Sequence, residues 1–272
     1  MNHTIYGSTG FIGSRYCKLF PDEVETQDRE ERIPKTKDII YFISTVDNYN
    51  IFNNITLDVE TNLKVFCEVL EHCKDKNITF NFISSWFVYG KTELPAKEEY
   101  HCNPTGFYSI TKKAAEDLLI SFCKTFNVNY RILRLCNVLG NGDQKVSSKK
   151  NALTYMIECL KNNEDVFLYD GGTPKRDVMH VDDVCKAINL ICNSGDLNQI
   201  YNIGSGTPIS ISTIINLAKD HLNSESIIGS KDAPEFHQIV QTKDFWMDTT
   251  KLKNLGFNQT IPLNQIIKEL CL

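Results

Sequence analysis

The chain has 272 residues, 42% of them apolar, and a formal net charge of -5. A chain of this size can bury a full core, as one large domain or as a major domain with a smaller partner. The acidic balance argues against nucleic acid as a partner, because phosphate backbones are held by clustered Lys and Arg. No apolar run approaches the roughly 18 residues of a membrane span, and no basic-then-apolar leader precedes the first motif, so no membrane partner and a cytoplasmic location are expected.

Ten cysteines are scattered without a Cys-x-x-Cys pair, and they read as reduced thiols rather than a disulfide scaffold. Cys67, Cys73, Cys123, Cys159, Cys185 and Cys192 fall in apolar-periodic helical stretches, where a thiol behaves as a small hydrophobe. No metal site is expected.

Apolar runs of strand length alternate with longer segments of helical period: 2–6 then 11–20, 38–44 then 56–74, 78–84 then 107–127, 129–136 then 151–162. A strand at 165–169, a helix at 181–193, a strand at 199–203 and helices at 210–223 and 262–270 follow. Such alternation predicts a parallel sheet covered by helices. The polar stretches 140–150 and 170–177 mark places where the chain leaves the sheet and returns. The expected fold class is therefore α/β: a Rossmann-type doubly wound parallel sheet from 1–145 and 176–204, with a smaller C-terminal substrate-binding lobe from 146–175 and 205–272.

Gly7, Gly10 and Gly13, in GSTGFIG, follow the first strand and open a helix through Phe11 and Ile12. In that setting the three glycines give a tight turn, close backbone approach to a pyrophosphate, and close helix-to-strand packing, with the helix N-terminus facing the anion. The spacing meets the generic G-x-G-x-x-G fingerprint only in part, and a glycine trio alone reads equally well as a turn. The second strand ends in VETQDREER, which offers both signs: Asp28 suits the ribose hydroxyls of NAD, Arg29 or Arg32 the extra phosphate of NADP. Each arginine reads as readily as a solvated turn residue. The cofactor is thus NAD or NADP, with Asp28 tilting the choice to NAD. Ser44 ends the next strand, beside the expected path of the pyrophosphate. The short run to Asp38 leaves little room for a third strand before it.

Tyr108 and Lys112 stand at i and i+4 on one helical segment, so their side chains share a face. A free phenol, with a pKa near ~10, is a poor base at neutral pH. A neighbouring ammonium favours its phenolate, which can then take or return a hydroxyl proton. The strand FNFISSWFVYG brings Ser84 and Ser85 to its carboxyl end, where catalytic groups gather on parallel sheets; the same serines would otherwise be read as turn formers.

Taken together, GSTGFIG, SSWFVYG, YSITK, RLCNVLG, RDVMHVDDV, YNIGSG and DTTKLKNLGF resemble, over nearly the whole chain, the extended short-chain dehydrogenases/reductases that act on nucleotide sugars, the NAD-dependent epimerase/dehydratase family. The resemblance implies Tyr108 and Lys112 as the catalytic pair, both also touching the cofactor, with Ser85 as their hydroxyl partner. It places Asn137 and Arg176 where relatives hold the substrate's diphosphate or set the strand beside it. The segment Val166 to Tyr169, with Phe167 and Tyr169, resembles the stretch that packs on the nucleotide base, although an ordinary edge strand explains it nearly as well, and Leu153 is also expected to meet substrate. The Arg176 guanidinium suits phosphate, which it can bind bidentately; the alternative is a surface ion pair with Asp177 or Asp182. His180, Asp182 and Asp183 look like a turn and a helix cap.

Two departures narrow the chemistry. Relatives that eliminate water across C5 and C6 carry an Asp-Glu pair where this chain has Trp86 and Phe87, and certain epimerising relatives carry Cys where Phe87 stands. Neither aromatic can transfer a proton, and the pair reads equally as sugar-pocket wall or core. What survives is hydride transfer at a single sugar carbon, C4 by preference, as a 4-epimerase or 4-dehydrogenase. The alternatives are an NADPH-consuming 4-keto-sugar-nucleotide reductase and a non-catalytic NAD(P)-sensing protein, which would need none of Ser85, Tyr108 and Lys112. Helices 56–74 and 107–127 are expected to pair with those of a second copy in a homodimer. The sugar and base are not legible at this level.

Overall fold

The computed structural model describes residues 2–74, 77–143, 147 and 151–272, so most of the polar stretch 140–150 lies outside the described residues. In chain order the elements are β1 (His3–Tyr6), α1 (Phe11–Leu19), β2 (Val24–Thr26), β3 (Asp38–Tyr41) and α2 (Leu57–Val59). A π-helical turn at Glu60–Lys64 leads from α2 into α3 (Val65–Glu71). Next come β4 (Thr79–Ser85), α4 (Phe107–Phe126), β5 (Asn129–Leu135), β6 (Asn137–Leu139), α5 (Ala152–Lys161), β7 (Val166–Tyr169), β8 (Lys175–Arg176) and β9 (Val178–His180). The chain finishes with α6 (Val181–Ser194), β10 (Gln199–Ile203), β11 (Ile209–Ser210), α7 (Ile211–Leu222), β12 (Ile228–Lys231), α8 (Glu235–Val240), α9 (Thr250–Asn254) and α10 (Leu263–Cys271).

Six strands form one all-parallel sheet in the order β10-β5-β4-β3-β1-β2. Strand order reverses beside β1: β2 pairs on one side of it and β3 on the other, which opens a crevice at their carboxyl ends. Side chains alternate across the sheet, so Ile5, Ile40 and Leu133 enter one core with Tyr16 of α1 and Ile188 of α6. Tyr6, Tyr41 and Phe82 enter the opposite core with Phe66 of α3 and Leu119 of α4. The sheet is thus doubly wound, as its alternating apolar runs predict. A third core joins α5, α7, α10 and the β7–β12 pair.

The stretch from β2 to β3 carries no third strand. It folds back instead, with the Tyr6 hydroxyl donating to the Arg32 carbonyl at 2.7 Å and the Gln27 amide donating to that of Ile33. The helix expected over 56–74 is interrupted by the π turn. Its buried face after that turn runs through Phe66, Val69, Leu70 and Cys73, which leaves Cys67 exposed while the other five helical cysteines are buried.

Asp177 ties distant segments together. Its buried carboxylate accepts from Ser205 N at 2.8 Å, Ser205 Oγ at 2.7 Å, Gly206 N at 3.1 Å and Met247 N at 3.2 Å. Its carbonyl accepts both N and Nδ2 of Asn137. Phe245, Met247, Leu252 and Phe257 consequently share the core of the sheet rather than that of α5, α7 and α10. His180 caps α6, its Nδ1 accepting from Asp182 N, and Asp182 pairs with Arg15 of α1. Among the described residues no helix is long and apolar enough to cross a membrane.

Candidate active site

The loop after β1 is shaped by its glycines. Gly7 sits at φ +85°, where a Cβ would also stand 3.0 Å from the Ile43 nitrogen, and a Cβ on Gly13 would collide with the Gly7 carbonyl. Gly10 is the N-cap of α1; no side chain caps that end and no acidic residue stands in its first turn. The first-turn N–H groups around Phe11, Ile12 and Gly13 remain for an anion, so the loop fits a pyrophosphate. Past the end of β2, Asp28 and Arg29 are exposed. Arg32 is engaged elsewhere, its Nε on Glu68 at 2.8 Å and its Nη1 on the Arg29 carbonyl.

At the carboxyl end of β3 the chain is fixed by residues that carry no signal in the sequence. The Asn62 carboxamide, inside the π turn, accepts from Ser44 Oγ at 3.2 Å and Thr45 N at 2.8 Å, and donates to Thr45 Oγ1 and to Thr111 Oγ1 of α4. Thr45 Oγ1 donates to buried Asp58 at 2.5 Å. π turns recur at functional sites because they aim one side chain out of helical register. A lone Asn in an apolar helical run gives no hint of this in one dimension.

Tyr108, Lys112 and Ser85 come together, all buried, between α4 and the end of β4. Lys112 Nζ donates to the Ile83 carbonyl at 2.6 Å and lies 4.0 Å from the centre of the Phe82 ring. Burial holds its ammonium down at about 7, with Glu116 one turn on pulling the other way. Burial likewise pushes the Tyr108 phenol up to about 12, against the nearby hydroxyls of Ser85 and Ser44, while Asp58 and Asp47 add to the rise. Ser84 turns away from this group. Its Oγ donates to Glu116 at 2.6 Å, and Glu116 holds Arg134 of β5 at 2.7 Å in a buried pair.

Beside this group lies a cavity of about 1130 Å³. Seven of the eight residues expected to meet substrate line it: Trp86, Phe87, Asn137, Leu153, Phe167, Tyr169 and Arg176. The eighth, Ser85, is outside the lining, as is Tyr108, whose ring stands edge-on to that of Phe87 in the lining at 5.9 Å. Leu153 and Trp86 are buried, and Phe167 is half exposed over Gly229. Arg176 makes neither of the ion pairs considered for it, because Asp177 is turned to the 205–206 loop and Asp182 to Arg15. Its Nη1 donates to the Lys175 and Lys243 carbonyls, and burial brings the guanidinium down to about 10.

The other side of the cavity has no counterpart among the residues expected from sequence. His237 of α8 lies 4.7 Å from the Tyr169 ring and its Nδ1 is 2.9 Å from the Tyr49 hydroxyl, and burial holds its imidazole below the ordinary value. Phe236 packs against Tyr49 and Phe52. Nothing in the local pattern of α8 marks it as a cleft wall, since its role comes from contacts nearly 190 residues apart along the chain.

The fold and the site define a nucleotide-dependent α/β enzyme class, and comparison with known proteins identifies it. The profile of the NAD dependent epimerase/dehydratase family matches residues 3–204, and the chain belongs to that family. It is 26% identical over 254 residues to a putative UDP-glucose 4-epimerase of Methanocaldococcus jannaschii, covering 90% of this chain and 80% of that one. The structure superposes on UDP-glucose 4-epimerase of Thermotoga maritima, solved with UDP-glucose, with a TM-score of 0.88 at 21% identity, over 100% of this chain and 97% of that one. It also superposes on RMD of Pseudomonas aeruginosa, complexed with NADPH, with a TM-score of 0.85 at 20% identity, covering 99% and 97%. The chain is thus an NAD dependent epimerase/dehydratase family member with the Rossmann-type fold of these solved structures.

Proposed function

We propose that the protein transfers hydride at one carbinol carbon, C4, of a nucleoside-diphosphate sugar, as a 4-epimerase or 4-dehydrogenase. The observation that carries this reading is the buried Tyr108–Lys112–Ser85 group at a strand end, beside a cavity whose nearest lining residues, Trp86 and Phe87, cannot act as acid or base. UDP-glucose in the Thermotoga relative supports the substrate class.

The glycine loop with Phe11 and Ile12 would hold the cofactor's pyrophosphate, Ser44 would flank it, and Asp28 or Arg29 would meet the adenosine ribose, Asp28 favouring NAD. When bound, the nicotinamide supplies the hydride acceptor or donor. Tyr108 takes the hydroxyl proton on oxidation and returns it on reduction, so the proton stays on one defined oxygen. Ser85 donates to the same substrate oxygen. Lys112, when protonated, favours the phenolate of Tyr108 and would hold the cofactor's ribose. Arg176 and Asn137 receive the diphosphate, with Leu153, Phe167 and Tyr169 around the base and Trp86 and Phe87 beside the sugar.

A panel of UDP-, GDP-, CDP- and dTDP-sugars, followed by proton NMR for inversion at C4 and by nicotinamide absorbance, tests this. We expect, for at least one of them, inversion at C4 without net cofactor consumption if the protein is an epimerase, or stoichiometric reduction of NAD(P)+ if it is a dehydrogenase. Tyr108→Phe should lower turnover by about 10²- to 10⁴-fold while leaving cofactor uptake intact. Stoichiometric loss of NADPH on a 4-keto sugar would make the protein a reductase instead, and undiminished turnover in the Tyr108→Phe protein would end the catalytic assignment.

A further inference from the structure

Trp86 and Phe87 directly follow Ser85, and Ser85 Oγ accepts from Phe87 N at 3.3 Å, so the hydroxyl and both rings are set by one short 3-10 turn. The rings form a continuous stack. Arg176 lies with its guanidinium carbon 5.6 Å from the centre of the Trp86 ring. Trp86 stacks on Phe87 at 4.0 Å and 26°, and on Phe245 at 4.7 Å and 30°. Phe87 in turn meets the Tyr108 ring nearly at a right angle, 81°.

Arg176 needs such a support. It is buried, and among the described residues only its Nη1 is hydrogen-bonded within the protein, to two backbone carbonyls. Two carbonyls fix one corner of a planar fork and leave its plane free to pivot about that corner. A flat aromatic face beneath the cation fixes the plane, and the attraction is stronger where water is excluded. Trp86 also stacks on both Phe87 and Phe245, so it has little freedom to follow a pivoting guanidinium.

We propose that Trp86 and Phe87 are positioning residues that form one rigid bridge: Trp86 sets the plane of Arg176 for a substrate diphosphate, and Phe87 braces Tyr108 for proton transfer. The proposal rests on the reading of the cavity as a nucleoside-diphosphate-sugar site. It gives the aromatic pair a role in the cleft beyond filling space. The role is divided between the rings, because each touches a different end of the site.

The division can be measured with UDP as the binding probe and the best sugar nucleotide as substrate. Trp86→Ala should weaken UDP binding about ten-fold and lower kcat as well, and Trp86→Phe, which keeps a ring to stack, should recover most of both losses. Phe87→Ala should lower kcat and shift its pH profile while UDP affinity stays within about two-fold of wild type. A purely structural role would lower the melting temperature in all three without separating KM from kcat. The chain has two tryptophans, so Trp246→Phe leaves Trp86 as sole reporter, and its fluorescence should change on saturation with UDP but not when Arg176→Ala is added.

Arg176→Ala distinguishes failure of the bridge from failure of the diphosphate site. If it abolishes UDP binding while Trp86→Ala binds UDP like wild type, the bridge is wrong and the diphosphate site stands. If Arg176→Ala binds UDP normally, the reading of the cavity itself fails. Should Trp86→Ala not fold, the Trp246→Phe titration decides, and unaltered Trp86 emission with UDP bound overturns the bridge.

Discussion

In the proposed mechanism, Lys112 sets stability against function. Its ammonium is buried against a carbonyl and an aromatic face, and burial draws its pKa from 10.5 down to about 7. Between those two values the unfolded chain holds the proton and the folded chain does not, so this group makes stability rise with pH across that window. Below about 7 both states are charged and the folded state bears the whole desolvation cost. Lys112→Met should therefore melt higher than wild type near pH 6, with the advantage shrinking towards pH 9, and should lose turnover; calorimetry at the two pH values and a rate assay check it. The grouping of these side chains was legible because Tyr108 and Lys112 repeat at helical spacing and Ser85 ends a strand. Asn62 and Asp58 were not. A polar side chain in an apolar helix is ordinarily solvent-facing, and only the contact with Thr45 across the sheet end shows otherwise.

At the scale of elements, β1 holds a second buried titratable group. His3 is fully buried at the start of β1, both ring nitrogens lack a partner among the described residues, and burial lowers its pKa from 6.5 to about 4. The unfolded chain takes up the proton first as pH falls, so stability present above about 6.5 is lost on the way to about 4. Between pH 7 and pH 5 the loss from this residue should be on the order of 1–2 kcal/mol. Urea denaturation at both values should show a smaller drop in His3→Leu than in wild type; equal drops would mean that other groups set the acid limb. The strand-and-helix alternation was readable because buried parallel strands and amphipathic helices have strong periods. The two-residue ladder of β8 and β11 and the short β6–β9 pair have no period to read. The π turn escaped for a related reason: one inserted residue shifts a helix by about 100° and blurs the pattern on either side.

Across the whole molecule, one patch of exposed apolar surface lies on the helices that cover one face of the sheet. Val59 of α2 and Ile110 and Leu118 of α4 are large apolar side chains left exposed. A homodimer built on these helices, proposed from the sequence, would cover them. Light scattering should give twice the 31.1 kDa chain mass, and Leu118→Glu should shift it to monomer with the melting temperature lowered; a monomeric wild type at micromolar concentration would remove the proposal. The placing of the cavity was partly legible, since Arg176, Asn137 and Tyr169 sit in recognisable segments. Its far wall was not, because α8 meets Tyr49 only after the whole chain has folded.

Asp177 gives that last point a topological meaning. Three of the donors that satisfy its carboxylate come from residues 205 and 206, and the fourth from residue 247. This buried group is fully paired only when segments 28 to 70 residues further along the chain have docked on it, so those segments and the sheet they cover should come apart together, in a single cooperative step.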